Sequence, residues 1–93
     1  GARFTLEQNR PNPFNPTTTI AFELPTRGEA ELAVYNAAGR RVVTLESGVL
    51  DAGRHTATWN GKNADGETVA SGIYFFRLTR DGESTNRKAV LLK

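Results

Sequence analysis

Residues 72–80 read GIYFFRLTR, and this stretch decides the fold. Tyr74, Phe76 and Leu78 share one parity while Arg77 and Thr79 occupy the other, the alternation of a β-strand with one buried face. Asp81-Gly82 follows at once, a pair suited to a type I′ turn, so a hairpin returns the chain into STNRKAVLLK. Upstream, NGKNADGETVASG is crowded with Gly61, Gly66 and Gly72 and reads as loop, with at most a short edge strand around residues 68–70. Before it, RHTATWNG restores strict alternation: His55, Ala57 and Trp59 oppose Thr56 and Thr58, and Trp59 is the evident core anchor.

Further toward the N-terminus the same period continues. In RRVVTLES, Val43 and Leu45 form the inward pair, and SGVLDAGRH is a longer connection ending in Gly53. EAELAVYN sets Ala30, Leu32 and Val34 against Glu31, Ala33 and Tyr35, and TTTIAFEL sets Ile20, Phe22 and Leu24 against Thr19, Ala21 and Glu23. Turn residues break the pattern at short, regular intervals, and no window shows apolar residues at helical spacing with caps. Six clear strands and one weak one predict an all-β antiparallel sandwich with a core of Ile20, Phe22, Leu32, Val34, Trp59, Tyr74, Phe76 and Leu78. Residues 1–10 read as a linker or cloning-derived leader and 11–93 as the domain. In RPNPFNP, Pro11, Pro13 and Pro16 withhold amide donors and favour an extended, polyproline-like path. Phe14, alone among polar and cyclic neighbours, is expected to plug one end of the core.

The chain of 93 residues holds one domain, and 38% hydrophobic residues with five Phe, two Tyr and one Trp is too much packing material for a disordered tail. Twelve Lys plus Arg against ten Asp plus Glu leave a net charge of only +2, and Arg40-Arg41 and Arg87-Lys88 are pairs rather than stripes, so no nucleic-acid partner is indicated. Cysteine is absent, which excludes disulfides, thiolate metal sites and a cysteine nucleophile. No apolar run exceeds four residues, the length reached at 89–92, far short of a membrane span, and the start has no apolar signal-peptide region. An exported form would carry its signal on a longer precursor.

Catalysis fails on inventory. His55, the sole histidine, sits within a strand with no nucleophile motif beside it, and Asp51, Asp65 and Asp81 lie near glycines where turn chemistry explains them. GKNADG partly echoes a calcium loop through Asn63, Asp65 and Gly66, but Gly61 stands at its first position and Gly72 where a bidentate Glu belongs. No catalytic, cofactor or metal residue is therefore assigned. Tyr35 and Phe75 fall on outward parity and could form an aromatic row for sugar, or pack beneath loops or the leader. The terminal KAVLLK is apolar on both parities, so it is either covered on both faces or offers one to a partner.

Five segments, PNPFNPTTTIAFELP, AVYNAAGRRVVTL, DAGRHTATWNG, DGETVASGIYFFRL and RKAVLLK, together resemble the type A C-terminal sorting domain of the type IX secretion (Por) system of Bacteroidota. They are also similar to the overlapping Ig-like domain family of flagellar hook-capping proteins. The resemblance runs from about Asn9 to Lys93. It implies a seven-stranded Ig-like sandwich that directs a larger cargo, often a hydrolase, through the periplasm and across the outer membrane to the surface or medium. Implied partners are the outer-membrane secretion machinery, a sortase that cuts in the preceding linker, the upstream cargo, and anionic lipopolysaccharide to which the cargo is joined. Family motifs carry over onto Pro11, Asn12, Pro13, Phe14, Gly72, Tyr74, Lys88, Val90, Leu92 and Lys93. The alternatives are a structural Ig-like module, as in hook-capping proteins, and a carbohydrate-binding module.

Overall fold

A computed structural model describes residues 4–93, and within them every regular element is a β-strand. The strands are β1 (Thr5–Leu6), β2 (Thr18–Leu24), β3 (Gly28–Asn36), β4 (Arg41–Leu50), β5 (Gly53–Trp59), β6 (Gly72–Arg80) and β7 (Glu83–Leu91). They form two antiparallel sheets, ordered β1-β2-β5 and β4-β3-β6-β7, an Ig-like sandwich. Each sheet turns its alternate side chains to the other, and the eight residues assigned to the core from period two are all buried there. Tyr74 lies near the start of β6, and its hydroxyl donates back to the Ala70 carbonyl at 2.6 Å, the corner device of Ig-like sandwiches.

The β6–β7 hairpin turns where the sequence places it. Asp81 (φ 50°) and Gly82 (φ 77°) both occupy the left-handed region, which sets the register Arg80↔Glu83 through Gly72↔Leu91. The β3–β4 hairpin is closed differently: Asn36 Oδ1 accepts from the amides of Ala38 and Arg40, each at 3.0 Å.

Two local readings change. The seventh strand is Thr5–Leu6 in the leader, whereas Thr68 makes only an isolated bridge to Lys62. The stretch 47–50 is strand rather than connection, because it pairs with residues 28–31 of the long β3. Val43 and Leu45 do pack against the core as the inward pair, but only half-buried, since β4 is a sheet edge with register shifts opposite Leu32/Ala33 and Val34/Tyr35.

Arg80, the last residue of β6, continues its inward parity and is buried. Its Nη2 donates to Thr26 Oγ1 at 2.5 Å, and Nη1 finds no partner among the described residues.

Candidate functional site

The first and last segments of the chain meet along the outer edge of β7. That edge is unpaired within the sheet and would leave its amides and carbonyls open. Residues 6–14 fill it, within the leader, the proline-rich N-terminal stretch up to Pro16. Phe14 forms an isolated parallel bridge with Leu91: the Phe14 amide donates to the Val90 carbonyl and the Leu92 amide to the Phe14 carbonyl, each at 2.9 Å. The Val90 amide donates to Asn12 Oδ1 at 2.9 Å. Gln8 Nε2 donates to the Lys88 carbonyl and Arg87 Nε to the Leu6 carbonyl, each at 2.7 Å.

The leader follows this course because two anchors fix it. One is polar: the Pro11 carbonyl accepts from Asn9 Nδ2 at 3.2 Å and from Thr18 Oγ1 at 2.8 Å, and Asn9 Nδ2 also donates to Thr18 Oγ1 at 3.0 Å. Asn9 and Thr18 are each 1% exposed, so these bonds compensate the desolvation of both side chains. The other anchor is Phe14, 2% exposed, whose ring centroid lies 5.7 Å from that of Trp59. Trp59 in turn meets Tyr74 at 5.1 Å and Phe76 at 6.0 Å in edge-to-face contacts, and its Nε1 donates to the Lys62 carbonyl at 2.8 Å. The plug expected of Phe14 is therefore present, while residues 11–16 run as a series of bends around it instead of a continuous extended path. Gly61 makes room for that bend: a Cβ there would sit 3.2 Å from the Pro16 carbonyl oxygen, on a backbone with φ of 75°.

The ten residues singled out from sequence form one continuous neighbourhood. Asn12, Phe14, Val90 and Leu92 are bonded directly. Gly72 and Tyr74 stand opposite Leu91 and Ala89 across the β6–β7 ladder. The Lys88 carbonyl receives Gln8, and the Lys93 amide donates to Ser71 Oγ at 3.1 Å. Pro11 and Pro13 lie exposed on the outside of the bend. The two parities of the terminal segment part company, with Ala89 and Leu91 fully buried, Val90 half-buried and Leu92 52% exposed. Lys88 and Lys93 face solvent, and Ile73, paired with Val90, is 41% exposed beside them. The terminal strand thus presents an aliphatic surface between two lysines while its backbone edge is already taken.

Sequence reasoning missed Asn9, Thr18, Gln8, Arg87 and Ser71. Thr18 carried a signal, because it shares the parity of Ile20, Phe22 and Leu24. The others act through bonds to distant backbone that no local pattern announces.

Other candidates resolve into local structure. Asn63 Oδ1 accepts from the amides of Asp65 and Glu67, each at 3.0 Å, so the GKNADG oxygen that would ligate calcium is engaged in a turn. Among the described residues no three His, Asp or Glu side chains are grouped to hold a metal ion. His55 stacks on Phe22 at 5.2 Å and its Nε2 lies 2.7 Å from the Asp51 carbonyl. Tyr35 and Phe75 are cross-strand neighbours on the outer face, with the Arg77 guanidinium 4.3 Å above the Tyr35 ring. No helix among the described residues is long and apolar enough to cross a membrane.

Comparison with known proteins gives three findings. The FlgD Ig-like domain family matches residues 8–84. Basal-body rod modification protein FlgD of Salmonella typhimurium is 41% identical over 70 residues, which are 74% of this chain and 30% of that protein. The chain thus spans less than a third of the length of this relative. Among solved structures, dimeric latent PorU from Porphyromonas gingivalis aligns with a TM-score of 0.74 and 18% identity over 98% of this chain and 10% of PorU. PorZ, an essential surface component of the type IX secretion system of the same organism, aligns with a TM-score of 0.59 and 20% identity over 97% of this chain and 11% of PorZ. At these identities the two structures establish a shared fold.

Proposed function

The chain belongs to the FlgD Ig-like domain family, and from that premise we propose that it is a non-catalytic targeting domain that takes an attached cargo across the outer membrane by a type IX system. The observation that carries this reading is the joining of Asn12 and Phe14 to Val90 and Leu92 in one surface. The family match ends at residue 84, yet the terminal segment beyond it is locked to the leader and displays Lys88, Leu92 and Lys93 outward. A signal read by a secretion machine needs such a fixed, solvent-facing surface and no reaction centre. The fold shared with PorU and PorZ is consistent with that role. Its partners are outer-membrane secretion machinery, a sortase and the upstream cargo, with anionic lipopolysaccharide as an acceptor, and the cargo ends at the cell surface or in the medium.

The test changes Lys88 and Lys93 to Gln in a reporter fusion, because solvent-facing substitutions usually alter stability by less than about 0.5 kcal/mol. In a host with a type IX system the unmodified fusion should reach the surface or medium and the variant should accumulate in the periplasm. Retention of both fusions, while the host exports its own cargo, would overturn the sorting role. Normal export of the variant would remove the two lysines from it.

The second reading is a structural Ig-like module of a flagellar cap, favoured by the 41% identity to FlgD. Incorporation of the domain into hook caps in place of the FlgD domain, combined with no export of the fusion, would select it.

A further inference from the structure

The leader and β7 run in the same direction, and this has a mechanical meaning beyond either reading of function. Leu6 lies against Arg87, Gln8 against Lys88, Asn12 against Val90 and Phe14 against Leu91, so both numbers rise together along the contact. The leader is the first described segment of the chain and β7 is the last strand. Tension applied between the two chain ends therefore draws the leader one way along the shared axis and β7 the other. Five hydrogen bonds cross this contact: Phe14 to Val90, Leu92 to Phe14, Val90 to Asn12, Gln8 to Lys88 and Arg87 to Leu6. All five are loaded together in shear. The leader cannot slide out between them, because Phe14 is buried against Trp59, Thr18 holds the Pro11 carbonyl, and the amides of Glu7 and Arg10 donate to Ala21 and Thr19 of β2.

We propose that this contact is a mechanical clamp: the domain bears tension between its two ends, and the leader–β7 bonds set the force at which it opens. The antiparallel β6–β7 ladder supplies the contrast within the same molecule. The Lys93 amide lies on Ser71 Oγ, and the Gly72↔Leu91 pair comes next. Pulling position 71 away from position 93 peels β7 off β6 one pair at a time, so each bond is loaded alone. Load bearing of this kind serves a domain tethered between a cargo and a membrane machine, and equally one built into a filament cap.

The experiment is single-molecule stretching of the 93-residue chain in two geometries. Handles on the two chain ends load the clamp, and a handle on Ser71→Cys with one after Lys93 loads the peel. The chain has no cysteine, so the introduced thiol is unique. Forced opening reports the unfolding rate. End-to-end loading should require at least about twice the force of peeling at the same pulling speed, taking five bonds yielding together against one at a time. Asn12→Ala and Gln8→Ala each remove one crossing bond at an exposed position, and each should raise the end-to-end unfolding rate at fixed load about fivefold. The same variants should change peeling less. Trp59 emission verifies that they are folded. Equal force in the two geometries would overturn the clamp, and so would an end-to-end rate unaffected by the paired Gln8→Ala and Asn12→Ala changes. Neither outcome bears on export, which the Lys88 and Lys93 fusions measure separately.

Discussion

Replacing Phe14 with Ala tests whether the leader belongs to the core. The side chain is 2% exposed and lies against Trp59, which itself is 1% exposed. Truncation of a buried Phe costs about 3–5 kcal/mol, the sum of lost transfer energy and the cavity left behind. Burial of about 150–250 Å² at about 25 cal/mol per Å² gives roughly 4–6 kcal/mol for the whole ring, so the two estimates agree. A domain of this size has about 5–14 kcal/mol of stability in all. One residue from a proline-rich leader thus accounts for a large share. At about 4–8 °C per kcal/mol, the midpoint should fall by at least about 12 °C. Thermal and urea unfolding followed by Trp59 fluorescence reads both quantities. A loss under about 1 kcal/mol with an unchanged denaturant slope would refute the reasoning, since it would mean that the leader contributes little to the folded state.

Gly61→Ala should destabilise by more than about 1 kcal/mol, because its backbone is left-handed and a Cβ would press on the Pro16 carbonyl, whereas Gly39→Ala, with open space around it, should cost less in the same urea titration. Trp59→Ala should cost about 3–5 kcal/mol by calorimetry, and the unmodified protein should show the blue-shifted emission of a buried indole. Millimolar calcium should leave the melting temperature nearly unchanged, since the Asn63 oxygen already serves two amides; a rise of several degrees would mean that the loop rearranges to bind. Burial holds the Tyr74 hydroxyl above its ordinary pKa of 10.0. Its contribution is therefore complete below the unfolded value and is lost as pH climbs from about 10 through the higher folded one, and Tyr74→Phe should flatten that part of an alkaline stability profile.

Period two made most of the sandwich legible, because β5 and β6 alternate strictly and β2 departs from one buried face only at Ala21, a side chain small enough to be covered on the opposite parity. It blurred in β4, an edge strand whose register shifts break the alternation that defines the signal. It failed for β1, where two residues are too few to show any period and Leu6 gains its burial from a sheet formed far along the chain. The site was legible as motifs and illegible as an assembly. PNPF and KAVLL stand out in the sequence, but that Asn12 serves the Val90 amide is a fact of topology, 78 residues away. The outer edge of β7 is hidden from local reading for the same reason, since its occupant lies at the opposite end of the chain.

The distance along the chain between the leader and its partner also orders events in time. Bringing residue 12 to residue 90 closes a loop that contains almost the whole domain, and contacts of such long separation form slowly and late. During synthesis β7 emerges after every other strand. Until it arrives Phe14 lacks the two backbone bonds that seat it beside Trp59, and the outer edge of β6 is bare. The nascent chain is thus most exposed to wrong partners while one strand short of completion, and it is the last nine-residue strand that converts a sticky intermediate into a closed domain.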